Sequence, residues 1–429
     1  MSLMRILYTL LLALASPLLL WGLYRKRPNK PEFGSRWKEH FGFTPPLAED
    51  ETSLSSGVIW VHAVSVGEVL ASQKLVLTLK QHYPSKRILV TTTTSTGAEQ
   101  VAKMGVEHRY MPIDFGWCVN RFLTTIQPDI MLIIETELWP NTISAVSQRQ
   151  IPIVLVNGRL SEKSFNNYKS LSWLMRPIFR RLNQVLAIHD DDNERFLKLG
   201  VGNARATGSL KYDVTVPDDV KMKSEQLREQ LGLHRRVFIA ASTHQGEDEI
   251  VIQAFKKTKE TVPELLLILV PRHPERFDDI ASLVETSELN LVRRSRSKQL
   301  GHLASNIDVY LGDSMGEMLL LMGASDLVFM GGSLIGKKVG GHNFIEPALL
   351  KKPIITGPSY YNFKDIAEQL TQAKALTVVE CEEALCSAIQ DYCSMPQTFD
   401  LFAEQGQNIV KKNKGSLERV LRECDQLIP

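Results

Sequence analysis

Glu68 stands in HAVSVGEVLAS, just after a short apolar run over 58–64 and where Val69, Leu70, Val76 and Leu77 take up helical spacing. A carboxylate in that place has two chemically distinct uses. It can offset the positive end of the helix dipole, worth about 0.3–1 kcal/mol, or, partly buried and tuned towards neutral pH, it can act as a general base. Position alone supports the two equally. No G-x-G-x-x-G follows the strand, so nicotinamide binding lacks its main support.

A second group of residues has the chemistry of an anion site. VPRHPERF places Arg272 and His273 at the end of a buried strand candidate, where a guanidinium can fork onto a phosphate or close a structural salt bridge. GDSMGEM opens a helix, so the amides around Met315, Gly316 and Glu317 are either donors to an anion or an ordinary cap. FMGGSLIGKKVGGHNFIEPA, residues 329–348, is crowded with glycine. Gly331, Gly332, Gly340 and Gly341 would let the backbone approach a phosphate; the alternative is a tight turn with no ligand. Asn343 can cap the following helix, and Glu346, one turn in, can accept two hydroxyls of a ribose diol. Lys337 and Lys338 read equally well as solvated. Asp190, Asp191 and Asp192 in HDDDNERF read better as a helix-capping run than as a metal site.

Positioning these groups calls for a particular kind of fold. Short apolar runs alternate with longer helical periodicity, the pattern of a parallel sheet with crossover helices. Strand candidates cover 58–64, 87–93, 129–135, 151–158 and 184–189 in the first half, and 237–242, 265–272, 308–313, 327–332 and 353–357 in the second. The polar clusters SVGE, TSTG, ETELWP, NGRLS, STHQGE, PRHPE, DSMGE, GGSLIG and GPSYYN each begin where one of these runs ends. In open α/β sheets ligands bind outside the carboxyl ends of strands. Two doubly wound α/β halves with a cleft between them are therefore expected. The expected division is an N-terminal segment 1–25, a first domain 26–213, a polar, proline-bearing linker 214–226 and a second domain 227–429 closed by helices.

The chain as a whole bounds what these domains can be. Its 429 residues suit two domains, with 44% hydrophobic and 23% charged residues as in globular proteins. A net charge of +2 offers no case for nucleic-acid binding. Cys118, Cys381, Cys386, Cys393 and Cys424 are scattered and read as buried free thiols in a reducing compartment. Residues 6–24 carry no charge and are long enough to cross most of a hydrocarbon core of roughly 30 Å. A cleavable signal peptide is the rival, but Arg25, Lys26, Arg27, Lys30, Arg36 and Lys38 follow the segment, whereas only Arg5 precedes it. Those flanks favour an uncleaved single-pass anchor with the body on the cytoplasmic side. A later basic group, Lys163, Lys169, Arg176, Arg180 and Arg181, is interleaved with Phe165, Tyr168, Trp173, Leu174 and Met175, and suits either a lipid-facing helix or a buried one.

These motifs together resemble the Kdo transferases of lipopolysaccharide synthesis, which move 3-deoxy-D-manno-octulosonic acid (Kdo) from CMP-Kdo onto the lipid A precursor. The resemblance runs through HAVSVGE, TTTTSTG, ETELWPN, GSLKYD, STHQGE, PRHPERF, SMGE, GGHNFIEPA and NFKDI, essentially the whole chain. Two departures are NGRLS, where the family more often has NARLS, and the basic GKKV insert in the glycine loop. The resemblance implies a GT-B fold with two Rossmann-like domains facing a central cleft, acting without metal or cofactor at the inner membrane. It gives Glu68 the role of catalytic base. It implies CMP binding at Pro271, Arg272, Met315, Gly316, Glu317, Asn343, Phe344, Ile345 and Glu346. Lys211, with one of Glu135 and Glu137, matches groups that stabilise the transition state. A nucleotide-sugar epimerase of the same two-domain layout is the alternative, and a non-enzymatic nucleotide-binding module a third reading.

Overall fold

The computed structural model describes residues 3–25, 31–48, 57–297 and 301–428. Lys26, Arg27 and Lys30 of the basic run lie outside the described residues. The chain divides into two compact units, Met1–Asp213 with Lys414–Pro429, and Val214–Asn413.

In the first unit the strands are β1 (Val58–His62), β2 (Arg87–Thr92), β3 (Glu107–Tyr110), β4 (Ile130–Ile134), β5 (Ile153–Gly158), β6 (Gln184–Ala187) and β7 (Ala204–Ala206). They form one sheet in the order β3-β2-β1-β4-β5-β6-β7, every pairing parallel. β1 and β4 are buried along their whole length, as a sheet covered on both faces requires. Alternation along them feeds two cores. Trp60, Leu89, Met131 and Ile133 pack on one face with Phe122 and Phe179, while Ile59, Val61, Ile130 and Leu132 pack on the other with Leu75 and Leu79.

The second unit repeats the design with β8 (Val237–Thr243), β9 (Leu266–Pro271), β10 (Leu291–Arg293), β11 (Val309–Leu311), β12 (Leu327–Met330), β13 (Ile354–Thr356) and β14 (Leu376–Val378). Its order is β10-β11-β9-β8-β12-β13-β14, again parallel throughout. Both units are Rossmann-like.

Two boundaries differ from the sequence reading. The stretch expected as a linker, 214–226, is largely the helix Asp218–Leu231, which belongs to the second unit. Its Leu227 and Leu231 are buried, and Ser224 Oγ donates to Leu320 O at 3.1 Å. The closing helix Ser416–Asp425, expected in the second domain, belongs to the first. Val420 and Cys424 enter the first unit's core, Glu423 accepts from Gln184 at 2.9 Å and from Arg205 at 2.7 Å, and Asp213 accepts from the amides of Gly415 and Leu417.

The N-terminal helix α1 (Leu3–Tyr24) is long and apolar enough to cross a membrane. α2 (Val66–His82) follows β1 and buries Val69, Ser72, Leu75, Val76 and Leu79 along one stripe. Leu70, expected on that stripe, is exposed. All five cysteines are free. Cys118, Cys386 and Cys424 are buried as expected, but Cys381 is exposed and Cys393 partly so.

Candidate functional site

In a parallel sheet the crossover direction reverses at one point, leaving a crevice between two strand ends. In the first unit this is between β1 and β4, and the loops there carry Glu68, Glu135 and Glu137. Ser65 caps α2 by accepting from the Glu68 amide at 3.4 Å, and the Glu68 carboxylate turns back to the same loop. Its Oε2 accepts from the Val64 amide at 2.7 Å and its Oε1 from the Ser65 hydroxyl at 2.9 Å. Glu68 thus sits in the first turn of α2, where a carboxylate offsets the helix dipole. The second reading is not displaced by it, because each oxygen of an ionised carboxylate keeps a further lone pair.

Electrostatics point to the same place. Burial pushes the Glu68 carboxyl up to about 7, and the two hydrogen bonds pull it down. Glu137 and then Glu135 add the smallest upward contributions by like-charge repulsion, so both carboxylates lie within electrostatic reach of Glu68. Glu135 takes a left-handed conformation (φ 58°) as β4 ends, the kind of strained backbone that gathers at functional sites. Glu137 accepts from Trp139 Nε1 at 3.5 Å, and the Trp139 ring meets His62 edge-on at 5.2 Å. His62 itself is buried against Thr91, with a pKa lowered to about 4. Lys211 is exposed on the turn Leu210–Tyr212, which packs against α2 and is tied to β5 by Leu210 N–H donating to Asn157 Oδ1 at 3.2 Å.

In the second unit the reversal lies between β8 and β12. Here the structure supplies a residue that sequence reasoning missed. Glu247, fully buried in STHQGE, accepts the amides of Gly332 at 2.6 Å, Ser333 at 2.8 Å and Leu334 at 2.9 Å from the glycine loop, and of His244 at 2.9 Å. One carboxylate thus moulds the loop after β12. The STHQGE cluster was visible in the sequence, but its partner lies 85 residues away. His244 and His342 were missed as well. Their rings meet end-on, with planes only 12° apart and Nε2 atoms 2.9 Å apart, so one donates and the other accepts. Burial lowers both, helped by their neighbours Arg272 and His273, and brings His342 down to about 4.

The glycines answer first to the protein's own packing. A Cβ at Gly331 would sit 2.6 Å from Ser242 O, where β8 bulges with Ser242 in the left-handed region. At Gly340 (φ 82°) it would enter the Tyr361 ring. Close packing against β8 accounts for Gly331, and a left-handed turn against Tyr361 for Gly340, without a ligand.

The residues matched to CMP binding fall at the strand ends of this unit. Pro271 ends β9, and the Arg272 amide donates to Thr243 O at 3.0 Å. The Arg272 side chain is exposed and makes no ion pair among the described residues. The structural salt bridge of PRHPER belongs instead to Arg276, which binds the buried Asp248. Met315 is exposed, Gly316 is left-handed (φ 80°), and their amides hold no backbone carbonyl among the described residues. The helix starts slightly later than expected, at Met318. The Glu317 side chain is engaged within the unit, with Arg294 at 2.9 Å and the Ser314 hydroxyl. Asn343 Oδ1 accepts from the Ile345 amide at 3.0 Å where the next helix begins, and burial pushes the Glu346 carboxyl up while Asn343 beside it pulls it down. Phe344 and Ile345 are core side chains, so only their backbone can face a ligand.

Elsewhere, Asp190, Asp191 and Asp192 fill the first turn of the helix Asp190–Lys198, but that helix has no side-chain cap; Asp192 instead accepts from the Leu160 amide at 2.8 Å and ties the helix to the segment after β5. Of the later basic group, Phe165, Tyr168 and Met175 lean on the core while Trp173 is exposed, so that segment is neither wholly buried nor wholly outward. The Leu174 and Lys337 side chains lie outside the described residues.

Comparison with known proteins bears on this layout. Residues 35–214 match the family model described as 3-deoxy-D-manno-octulosonic-acid transferase (kdotransferase). The chain is 36% identical to the 3-deoxy-D-manno-octulosonic acid transferase of Haemophilus influenzae, over 97% of each chain. Among solved structures it is similar in fold to the glycotransferase of kitacinnamycin, with TM-score 0.52 and 12% identity over 87% of this chain and 99% of that one. It is likewise similar to UDP-GlcNAc 2-epimerase from Neisseria meningitidis, with TM-score 0.51 and 12% identity over 83% and 98%. These two neighbours speak to the fold alone, which is of the GT-B type. Sequence identity along nearly the full length decides the rest: the chain belongs to the 3-deoxy-D-manno-octulosonic acid (Kdo) transferase family.

Proposed function

We propose that this enzyme transfers Kdo from CMP-Kdo to a hydroxyl of the lipid A precursor at the cytoplasmic face of the inner membrane, releasing CMP, with Glu68 as general base. The observation that carries this reading is the Glu68 carboxyl at the β1–β4 crevice, raised to about 7 chiefly by burial. A base is most effective when its pKa lies close to the working pH, where it is both ionised and basic.

The chemistry assigns each group a task. The bond between the anomeric ketal carbon and the phosphate breaks through an oxocarbenium-like transition state as the acceptor oxygen attacks from the opposite face. Glu68 takes the proton of that hydroxyl as the new bond forms, so configuration inverts without a covalent enzyme intermediate. CMP binding falls to Pro271, Arg272, Met315, Gly316, Glu317, Asn343 and Glu346, with Phe344 and Ile345 contributing backbone. Arg272 and the amides at Met315 and Gly316 stabilise the departing phosphate, a preorganised interaction commonly worth several kcal/mol. Lys211, with Glu135 or Glu137, stabilises the transition state. Glu247 reaches the reaction indirectly, through the loop it holds.

The apolar α1 and the basic residues around it support membrane association, which puts the enzyme beside a lipid acceptor. The direct test is release of CMP from CMP-Kdo with and without lipid A precursor. Release that requires the acceptor is the expected result. Turnover without acceptor would replace the proposal with a hydrolase or epimerase, and no turnover would leave only a binding module.

A further inference from the structure

The N-terminal helix is tied to the body of its own unit at both ends. Near its start, Arg5 donates to Asn141 Oδ1 at 3.1 Å and to Ser144 Oγ at 2.7 Å, and Thr9 Oγ1 accepts from Asn141 Nδ2 at 3.0 Å. Tyr8 lines the same cavity as Asp114, a buried carboxylate that gathers the amides of Asn141 and Thr142. At the far end the Tyr24 hydroxyl lies 2.8 Å from His40 Nδ1, and its ring meets Phe33 edge-on. Between these ties α1 and the body line one apolar cavity of about 310 Å³, with Leu12, Ser16 and Leu19 on one wall and Met111, Ile113 and Trp139 on the other.

The geometry conflicts with a transmembrane crossing. Arg5 and Tyr24 are 19 residues apart, about 28 Å along a helix, close to the roughly 30 Å of a hydrocarbon core. A helix crossing that core holds its two ends on opposite sides, so both cannot bond one body. The outward face has the complementary character. Leu7, Leu10, Leu11, Leu14, Leu18 and Trp21 follow helical spacing and are all exposed. Exposed aromatics flank it on the same unit: Trp37, and Phe43 and Trp117 beneath the Arg121 guanidinium, at 4.5 and 5.3 Å from their ring centroids. Arg25 sits 5.0 Å from the Trp21 ring. An apolar stripe rimmed by aromatic rings and guanidinium groups matches the boundary between acyl chains and anionic headgroups.

We propose that α1 lies flat in the cytoplasmic leaflet as an in-plane helix strapped to the first unit, with its leucine face among the acyl chains, instead of crossing the bilayer. The proposal rests on the membrane association put forward above, which co-flotation of the protein with anionic phospholipid vesicles reports separately.

Depth measurement tests it on the full chain. Spin labels are placed singly at Leu7→Cys, Leu14→Cys and Trp21→Cys, with the native cysteines replaced by serine, in vesicles of phosphatidylethanolamine and phosphatidylglycerol. A flat helix gives the three labels the same shallow depth, about 5–10 Å below the headgroups. A gradient with position 14 deepest and 7 and 21 shallower on opposite sides overturns the proposal, as does water exposure of all three in a dimer joined through this face. A second readout needs no substitution in α1. An N-terminal epitope on the full chain should be cut by protease in inverted membrane vesicles and protected in spheroplasts; cutting in spheroplasts overturns the proposal.

Discussion

Replacing Glu68 by Gln removes the proposed proton acceptor and leaves the helix cap in place, because an amide oxygen can still accept from the Val64 amide or the Ser65 hydroxyl. The two contributions of this residue can thus be measured apart. Loss of a general base lowers the rate by about 10²–10⁴-fold, or about 3–5 kcal/mol of barrier. Wild-type turnover, followed as acceptor-dependent CMP release, should rise as pH passes through about 7 and then level off, since the ionised carboxylate is the active form. The residual rate of Glu68→Gln should lack that rise. Stability should move in the other direction. Burial raises the folded pKa from 4.5 to about 7, so the proton-linked stability is fully present below pH 4.5 and is lost as pH climbs through 7. The full loss is about 3 kcal/mol. Glutamine has no proton to lose, so on denaturant unfolding the variant should gain on wild type by up to that amount between acid pH and well above pH 7. A variant within tenfold of wild-type turnover, or a wild-type rate indifferent to pH near 7, would refute the reasoning.

Glu247→Ala strands three buried amides of the glycine loop and should cost about 3 kcal/mol or more in unfolding experiments. CMP affinity, measured by calorimetry on the folded fraction, should fall with it. Arg272→Ala should weaken CMP-Kdo binding by roughly 30-fold, about 2 kcal/mol of charge-assisted hydrogen bonding, with little change in thermal stability. Arg276→Ala should do the reverse, destabilising by about 3–5 kcal/mol because Asp248 is left buried and unpaired. Gly340→Ala forces a side chain into a left-handed position against Tyr361 and should destabilise by about 1–3 kcal/mol, seen as a lower unfolding midpoint even without nucleotide.

The strands that the sequence revealed and those it hid differ by position in the sheet. Every strand candidate corresponds to an interior strand, and the ones overlooked, β3, β7, β10 and β14, are the four edges. Interior strands are covered on both faces and read as apolar runs. β7 and β10 are three residues long and wholly half-exposed or exposed, so they carry no such run. The reach of Ser416–Asp425 back to the first unit was hidden for a different reason. Its amphipathic face fits a sheet of either unit, and long-range ties such as Glu423 to Gln184 and Arg205, and the Gly415 and Leu417 amides to Asp213, show which. At the site, strand-end loops announced Glu68, Arg272 and Asn343, since polar residues there need a reason. Glu247 and the His244–His342 pair act through partners distant in sequence, and no local pattern encodes that. The glycine run was legible as a constraint but ambiguous as to cause, because a left-handed turn against Tyr361 and an approach to a phosphate ask for the same residue.

The anomeric configuration of the transferred Kdo decides the central claim. Nuclear magnetic resonance of the product formed by the full chain from CMP-Kdo and lipid A precursor should show a single anomer, inverted relative to the donor, as one displacement assisted by Glu68 requires. A product with the donor's configuration would demand two displacements and a covalent intermediate, and would contradict Glu68 as the base.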